Sequence, residues 1–261
     1  MYEGLHGVAL DTHRDIPHTR ARHSSSPVEP KTRTLPQRGR TPPAKESITH
    51  TSPTGIGPRI RPNTTSYSGI PRRTFLRFAT FNVRTLRSHI QKENLAVTLK
   101  HRHIDICAIQ EHRMSGEAET RIGEYTLLTG DADSRGVGGC GIAIHSRLAP
   151  SVTSIHPISN RLFYISIKQG NHRSWFIATH APTESSEDSD KDIFYDQLHS
   201  VLRAIPTSDQ LVIGIDANGK LGEDARESPS VGQWFYRSQE TSDNGYRLLE
   251  LAETHDLILS G

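Results

Sequence analysis

Apolar residues are sparse and unpatterned up to Thr74. From Leu76 they gather into short runs broken by Gly, Asp, Asn, Ser and Pro. Leu76–Phe81 is apolar and β-prone and stops at Asn82, which predicts a strand. Ser88 can cap a following helix, with Ile90, Leu95, Val97 and Leu99 as its expected apolar anchors. Ile104–Ile109 reads as a buried strand ending in Gln110-Glu111. Further strands are expected at Tyr125–Leu128, Gly141–His145, Leu162–Lys168 and Trp175–Thr179. Asp190 to about Arg203 fits a helix anchored by Ile193, Leu198, Val201 and Leu202. Leu211–Ile215 predicts another buried strand, followed by a turn at Asp216-Ala217-Asn218-Gly219. A helix over Asp243–Thr254 and a strand beginning at Leu257–Leu259 complete the pattern. Strands and helices both alternate and run in series. The expected fold class is therefore α/β (α+β), with mixed sheets flanked by helices.

Charge divides the chain at the same place. Residues 1–74 carry 12 Lys/Arg against 5 Asp/Glu, a formal +7, and ten of the 15 prolines; the remainder carries −5. Such a segment cannot bury enough surface to offset its chain entropy. The expected organisation is a disordered basic Pro/Ser/Thr/Arg-rich tail over 1–74 and a folded domain over 75–261. The tail is either a solvated leader or an arm that holds nucleic acid without sequence preference. No apolar run approaches the ~18–20 residues needed to span a bilayer. The first residues lack a basic and then apolar leader, so an intracellular location, nuclear or cytoplasmic, is expected, without a membrane partner. Nothing in the sequence indicates an obligate protein partner. Cys107 and Cys140 lie in apolar runs and read as buried free thiols. Trp175 is expected in the core, and Trp234-Phe235-Tyr236 is a possible contact for a nucleic acid strand.

Other patterns carry little chemistry. Gly136-Val-Gly138-Gly-Cys-Gly141 has dinucleotide-site spacing but leads into a strand-like run, so a hairpin or loop is expected. His101-Arg-His103 has no partner cluster at zinc spacing. The acidic run from Glu184 to Asp192 reads as a solvated loop and helix N-terminus.

The informative residues stand at three strand ends: Phe81-Asn82, Gln110-Glu111 and Ile215-Asp216-Ala217-Asn218. A buried strand excludes charge, so carboxylates collect where it ends. Neighbouring strands that end at one face bring those groups together. Carboxylate oxygens suit a hard cation such as Mg²⁺, which keeps several waters and also accepts a phosphate oxygen.

These residues also carry a resemblance. Arg77-Phe-Ala-Thr-Phe-Asn82-Val-Arg84-Thr-Leu86 resembles the first motif of the endonuclease/exonuclease/phosphatase superfamily, and Asp105-Ile-Cys-Ala-Ile-Gln110-Glu111 the second. Trp175-Phe-Ile-Ala-Thr-His180-Ala181-Pro182-Thr183 resembles the third, with His180 where Tyr is usual. Val212-Ile-Gly-Ile-Asp216-Ala-Asn218 resembles the fourth, and Asp243-Asn244-Gly245 the segment after it. Within the superfamily the set is most similar to the apurinic/apyrimidinic-type endonuclease domains of non-LTR retrotransposons and chromosomal proteins derived from them.

The resemblance implies a four-layer sandwich of two packed mixed β-sheets with helices outside. It implies a Mg²⁺-dependent (or Mn²⁺-dependent) phosphodiester hydrolase, with DNA as the nucleic acid partner. Glu111 and Asn82 would hold the metal, and Asp216 would orient or deprotonate the attacking water. Asn218, His180 and Asn244 would contact the phosphate, and Asn82, His180, Asp216 and Asn218 form the implied catalytic set. Family members end in a Ser-Asp-His-type motif, whereas no Ser-Asp-His or Thr-Asp-His occurs here. The expectation is thus a domain lacking its C-terminal strands and Asp-His pair, poorly active or inactive as a nuclease on its own. Two alternatives stay open. One is another phosphoesterase of the superfamily, such as an inositol phosphatase, a sphingomyelinase or a deadenylase. The other is a catalytically dead nucleic-acid-binding module.

Overall fold

The computed structural model describes Val8–Asp11, residues 76–232 and residues 240–260. One sheet has six strands: β1 (Val8–Asp11), β7 (Val152–Ser159), β8 (Leu162–Gln169), β9 (His172–His180), β10 (Gln210–Asp216) and β11 (Ile258–Ser260). Their spatial order is β11-β1-β10-β9-β8-β7, with β9 and β10 parallel and the other neighbours antiparallel. The other sheet has five: β2 (Phe78–Asn82), β3 (Ile106–Gln110), β4 (Ala118–Ile122), β5 (Tyr125–Thr129) and β6 (Cys140–His145). Their order is β2-β3-β6-β5-β4, and only β2 and β3 are parallel. The helices are α1 (His89–His101), α2 (Asp188–Ala204) and α3 (Asp243–Thr254).

Three apolar layers hold these parts together. Leu95, Ala96 and Leu99 of α1 pack on Phe81, Cys107, Ile109 and Leu127, the outer face of the five-stranded sheet. Ile106, Ala108, Ile142 and Ile144 meet Phe163, Ile165, Phe176 and Ala178 between the sheets. Phe194, Leu198 and Leu202 of α2 and Leu248 and Leu251 of α3 cover Ile177, Ile213 and Ile215 on the far side. The result is the four-layer sandwich with mixed sheets. β3 is buried at every position because successive side chains point into two different layers. That explains its unbroken apolar run.

Local chemistry starts each helix. Ser88 accepts from Gln91 N at 3.2 Å while Gln91 Oε1 accepts from Ser88 N at 3.0 Å, a reciprocal cap on α1. Asp188 and Asp190 lie in the first turn of α2, where carboxylates complement the helix dipole. Ser242 caps α3 by accepting from Gly245 N.

The structure corrects several expectations. Ile90 (71% exposed), Val97 (57%) and Ile193 (68%) are not anchors. At 100° per residue Val97 lies ~200° round the helix from Leu95, on the opposite side from the buried stripe. β4 and β7 were not expected. β4 is mostly exposed and polar, and β7 is an edge strand without a continuous apolar run. Val8–Asp11 is a strand in the sheet, so residues 1–74 are not tail throughout. Four residues are too short for periodicity to reveal. The rest of that segment, the 74/75 boundary and Trp234-Phe235-Tyr236 lie outside the described residues.

Other expectations match. Cys107 and Cys140 are free and fully buried, and burial pushes both thiols up. The glycine-rich run is a loop in which Gly136, Gly138 and Gly139 all have positive φ. Trp175 is half-buried against the α2/α3 core and donates to Asp209 Oδ2 at 2.9 Å. No helix among the described residues is long and apolar enough to cross a membrane.

The sheets approach closely at Gly214. A Cβ there would lie 2.4 Å from Ala108 Cβ and 2.9 Å from Thr80 Cβ, across the inter-sheet layer. The fully buried Gln110 uses the same gap. Its Nε2 donates to Gly214 O at 3.1 Å and to Thr80 Oγ1 at 3.0 Å, a polar link between the sheets. Gly214→Ala is expected to destabilise the domain by about 1–3 kcal/mol through overpacking, measured by denaturant unfolding.

Candidate active site

Four strands end at one place. β2 and β3 leave one sheet at Asn82 and Gln110, and β9 and β10 leave the other at His180 and Asp216, which are register partners. The Asn82 amide joins the two halves. Its Nδ2 donates to Glu111 Oε1 and to Asp216 Oδ2, both at 2.8 Å, while its Oδ1 accepts from Arg84 N at 3.0 Å. One neutral donor group therefore stands between two carboxylates that would otherwise repel.

Glu111 has φ 57° and Asn218 φ 47°, in the left-handed region. Asn tolerates that region, but Glu does not favour it, and such strain of about 1–3 kcal/mol persists where surrounding contacts over-determine the backbone. Those contacts are visible. His112 N donates to Gly139 O at 3.3 Å, Arg113 N to Gly138 O at 2.9 Å, and Leu86 N to His112 O at 2.9 Å. The His112 side chain is fully buried. Nδ1 accepts from Met114 N at 3.1 Å, which leaves the proton on Nε2, 3.2 Å from Cys140 O. Its ring lies where a Cβ on Gly139 would sit, 2.5 Å away, which accounts for that glycine. Burial holds the imidazole down to about 4, against the hydrogen bond to Cys140.

Glu111 has its second oxygen 2.8 Å from Arg113 Nη2. Burial pushes its carboxyl up, but the hydrogen bonds from Asn82 and Arg113 and the Arg113 charge hold it below the usual carboxylate range. It is ionised at neutral pH. His180 Nε2 is 3.7 Å from Glu111 Oε1 and 3.1 Å from Asn218 Nδ2. An amide nitrogen only donates, so Nε2 accepts and the proton sits on Nδ1, which is buried without a hydrogen-bond partner. Burial lowers the His180 pKa, with Arg161 in support and Asp216 and Glu111 opposing; the ring is neutral. Asn218 also donates from Nδ2 to Ala181 O at 2.9 Å and from its backbone N to Asp216 Oδ1 at 3.2 Å.

Asn82, Glu111, His180, Asp216 and Asn218 are thus brought together. Asn244, expected at the phosphate, is placed differently. It is fully buried, and its Nδ2 donates to Pro182 O at 2.9 Å and Asn218 O at 3.2 Å. Its amide ties the Pro182 and Asn218 backbones together beside the site. Two residues escaped the sequence reading. Arg113 stands two positions after Glu111 and pairs with it. Arg161, in the β7–β8 turn, donates to His180 O and Ala181 O at 3.2 and 3.1 Å. The signal for Arg113 was its place beside the Gln110-Glu111 pair; nothing local marks Arg161.

The donor set fits a hard divalent cation. The ionised, partly exposed Glu111 carboxylate, with Asp216 across the Asn82 amide, offers oxygen ligands of the kind Mg²⁺ takes, one or two carboxylates completed by water and phosphate. Among the described residues no group of three or more His, Cys, Asp or Glu forms a closed cage. Arg113 already neutralises part of Glu111, so a cation there would share that carboxylate.

No protein-family profile matches the chain. A curated relative, craniofacial development protein 2 of Bos taurus, is 23% identical over 158 residues, 60% of this chain. The match spans about a quarter of that protein's length (26%). Among solved structures, the AP endonuclease LMAP from Leishmania major aligns with TM-score 0.50 and 13% identity, covering 69% of this chain and 66% of that one. The endonuclease domain of TRAS1, a telomere-specific non-LTR retrotransposon, aligns with TM-score 0.49 and 15% identity over 69% and 70%. At 13% identity the likeness to the AP endonuclease LMAP shows a shared fold and nothing finer.

Two outcomes follow from the geometry. Asn82→Asp puts a third carboxylate between Glu111 and Asp216. It should lower stability at pH 7 by about 1–3 kcal/mol in thermal unfolding, with part of the loss recovered by acid or Mg²⁺. His112 is held neutral in the fold, whereas the unfolded chain protonates it below about 6.5. Its contribution is complete above that pH and shrinks as pH falls toward about 4, by up to about 3 kcal/mol. His112→Gln should flatten this part of the stability–pH curve.

Proposed function

We propose that the domain is a metal-assisted phosphodiester hydrolase acting on DNA, an endonuclease of the retrotransposon type. The observation that carries this reading is the Asn82 amide held at 2.8 Å from both Glu111 and Asp216, with Asn218 and His180 alongside. In this reading Glu111, steadied by Asn82, holds the cation. When bound, Mg²⁺ or Mn²⁺ supplies Lewis-acid polarisation of the phosphate and offsets charge on the leaving oxygen. Asp216 orients a water and takes its proton as the oxygen attacks phosphorus. Asn218 exchanges its His180 contact for a non-bridging phosphate oxygen, where a fixed amide donor stabilises the charge that develops. The P–O bond to the departing oxygen breaks, and that oxygen takes a proton from water. Asn244 keeps Asn218 and Pro182 in register behind the site.

A second reading is binding without cleavage. Its support is His180, whose Nε2 faces the Asn218 amide at 3.1 Å and whose Nδ1 is buried without a hydrogen-bond partner. Both readings are tested by nicking of supercoiled plasmid and of an abasic duplex in Mg²⁺. The hydrolase reading expects Asp216→Ala and Glu111→Ala each to lower the rate by about 10²-fold or more. Cleavage insensitive to both substitutions contradicts it. Salt-dependent DNA binding without cleavage, unaffected by Glu111→Ala and by removal of Mg²⁺, establishes the second reading.

A further inference from the structure

β1 occupies an unusual place. It lies between β10 and β11 and runs antiparallel to both, with Val8–Asp11 opposite Ile215–Val212 on one side and Ala9–Asp11 opposite Ser260–Ile258 on the other. The chain leaves β10 at Asp216, passes through α3 and returns in β11, two strand positions away. The position between them is filled from the other end of the sequence, with residues 12–77 intervening. Beyond β1, β11 is bonded to the sequence around Val231. Leu259 N donates to Ser230 O at 2.7 Å and Gly232 N to Leu259 O at 2.9 Å.

Without β1, β10 and β11 would stand two strand spacings apart, roughly 9–10 Å, too far to pair. The facing N–H and C=O groups of both would lose their partners. Ile213, Ile215 and Leu259 are fully buried, so those backbone groups lie at the core of the domain, where an unpaired donor or acceptor is destabilising. The gap is thus a slot that selects an extended segment by main-chain hydrogen bonds. The register puts Val8 beside Ile215, the residue before Asp216.

We propose that the space between β10 and β11 is a strand-accepting slot whose occupant is the chain's own Val8–Asp11, docked by β-augmentation and able to bind as a separate peptide. The segment Gly7-Val8-Ala9-Leu10-Asp11 suits it: an apolar run without proline, ended by a charge. Occupancy of the slot orders the β10 end that carries Asp216, independently of what the site hydrolyses.

The test uses the full chain and a labelled peptide of residues 2–16. Ala9→Pro in the full chain removes a main-chain donor from a strand paired on both sides and should disable docking in cis. The labelled peptide is then expected to bind the Ala9→Pro chain saturably, at least tenfold more tightly than wild type, whose slot is already filled. A peptide carrying the same proline should not bind. Hydrogen exchange should show residues 210–216 and 258–260 deprotected in the variant and reprotected by the peptide. Equal peptide binding to both chains, or none to a folded variant, overturns the proposal. If the variant does not fold, exchange of the wild type decides. Protection at Ala9–Asp11 matching that of Ile258–Ser260 supports the slot, and free exchange at Ala9–Asp11 beside protected Ile258–Ser260 refutes it. None of these readouts requires catalysis, so they stand apart from the hydrolase reading.

Discussion

The close contact of the two sheets at Gly214 is the constraint on which the site depends. Glu111 follows a strand of one sheet and Asp216 ends a strand of the other, so no local sequence feature can hold them together. The missing side chain at Gly214 lets β10 settle on β2 and β3, and the Gln110 amide uses the exposed Gly214 carbonyl as its acceptor. A buried amide satisfied by one arrangement of the sheets disfavours sliding, because any shift leaves its donors without partners. Asn82 then repeats the same device at the sheet ends, where a single amide reaches both carboxylates.

This arrangement explains why the polar site is tolerated at the end of an apolar sandwich. These half-buried groups are each fixed by a neighbour: Glu111 by Asn82 and Arg113, Asp216 by Asn82 and the Asn218 backbone, Asn218 by Ala181. The left-handed backbone at Glu111 and Asn218 is sustained by those bonds and by the His112–Gly139 contact one residue on. Among the described residues His180 Nδ1, Arg113 Nε and Asn244 Oδ1 are the atoms near the site that are buried without a hydrogen-bond partner. Stability and chemistry therefore rest on the same residues, and substitutions of Asn82 or Gly214 change both.

Much of this was legible in the sequence. β2, β3, β6, β8, β9 and β10 stand out because buried strands are apolar runs, and α1 because Ser88 precedes it with cap chemistry. The convergence of Asn82, Glu111, His180, Asp216 and Asn218 followed from motif order and from carboxylates collecting at strand ends. What escaped depended on partners far along the chain. β4 and β7 are edge strands with exposed polar positions, so they lack the apolar run that marks a core strand. Val8–Asp11 gains its strand identity from β10 and β11. Asn244 was assigned to the phosphate by the resemblance, whereas its fully buried amide bonds the Pro182 and Asn218 carbonyls, which nothing in its local sequence marks. Ile90, Val97 and Ile193 show that an apolar residue in a helix is an anchor only on the packed face.

The central claim is that packing of the sheets places Glu111 and Asp216 around one hollow fit for a divalent cation. Anomalous diffraction from a crystal soaked in Mn²⁺ addresses it most directly. A single manganese peak against the Glu111 carboxylate, with Asp216 facing it across Asn82, is the predicted result. No peak at Glu111, or the two carboxylates separated by the body of the domain, contradicts it.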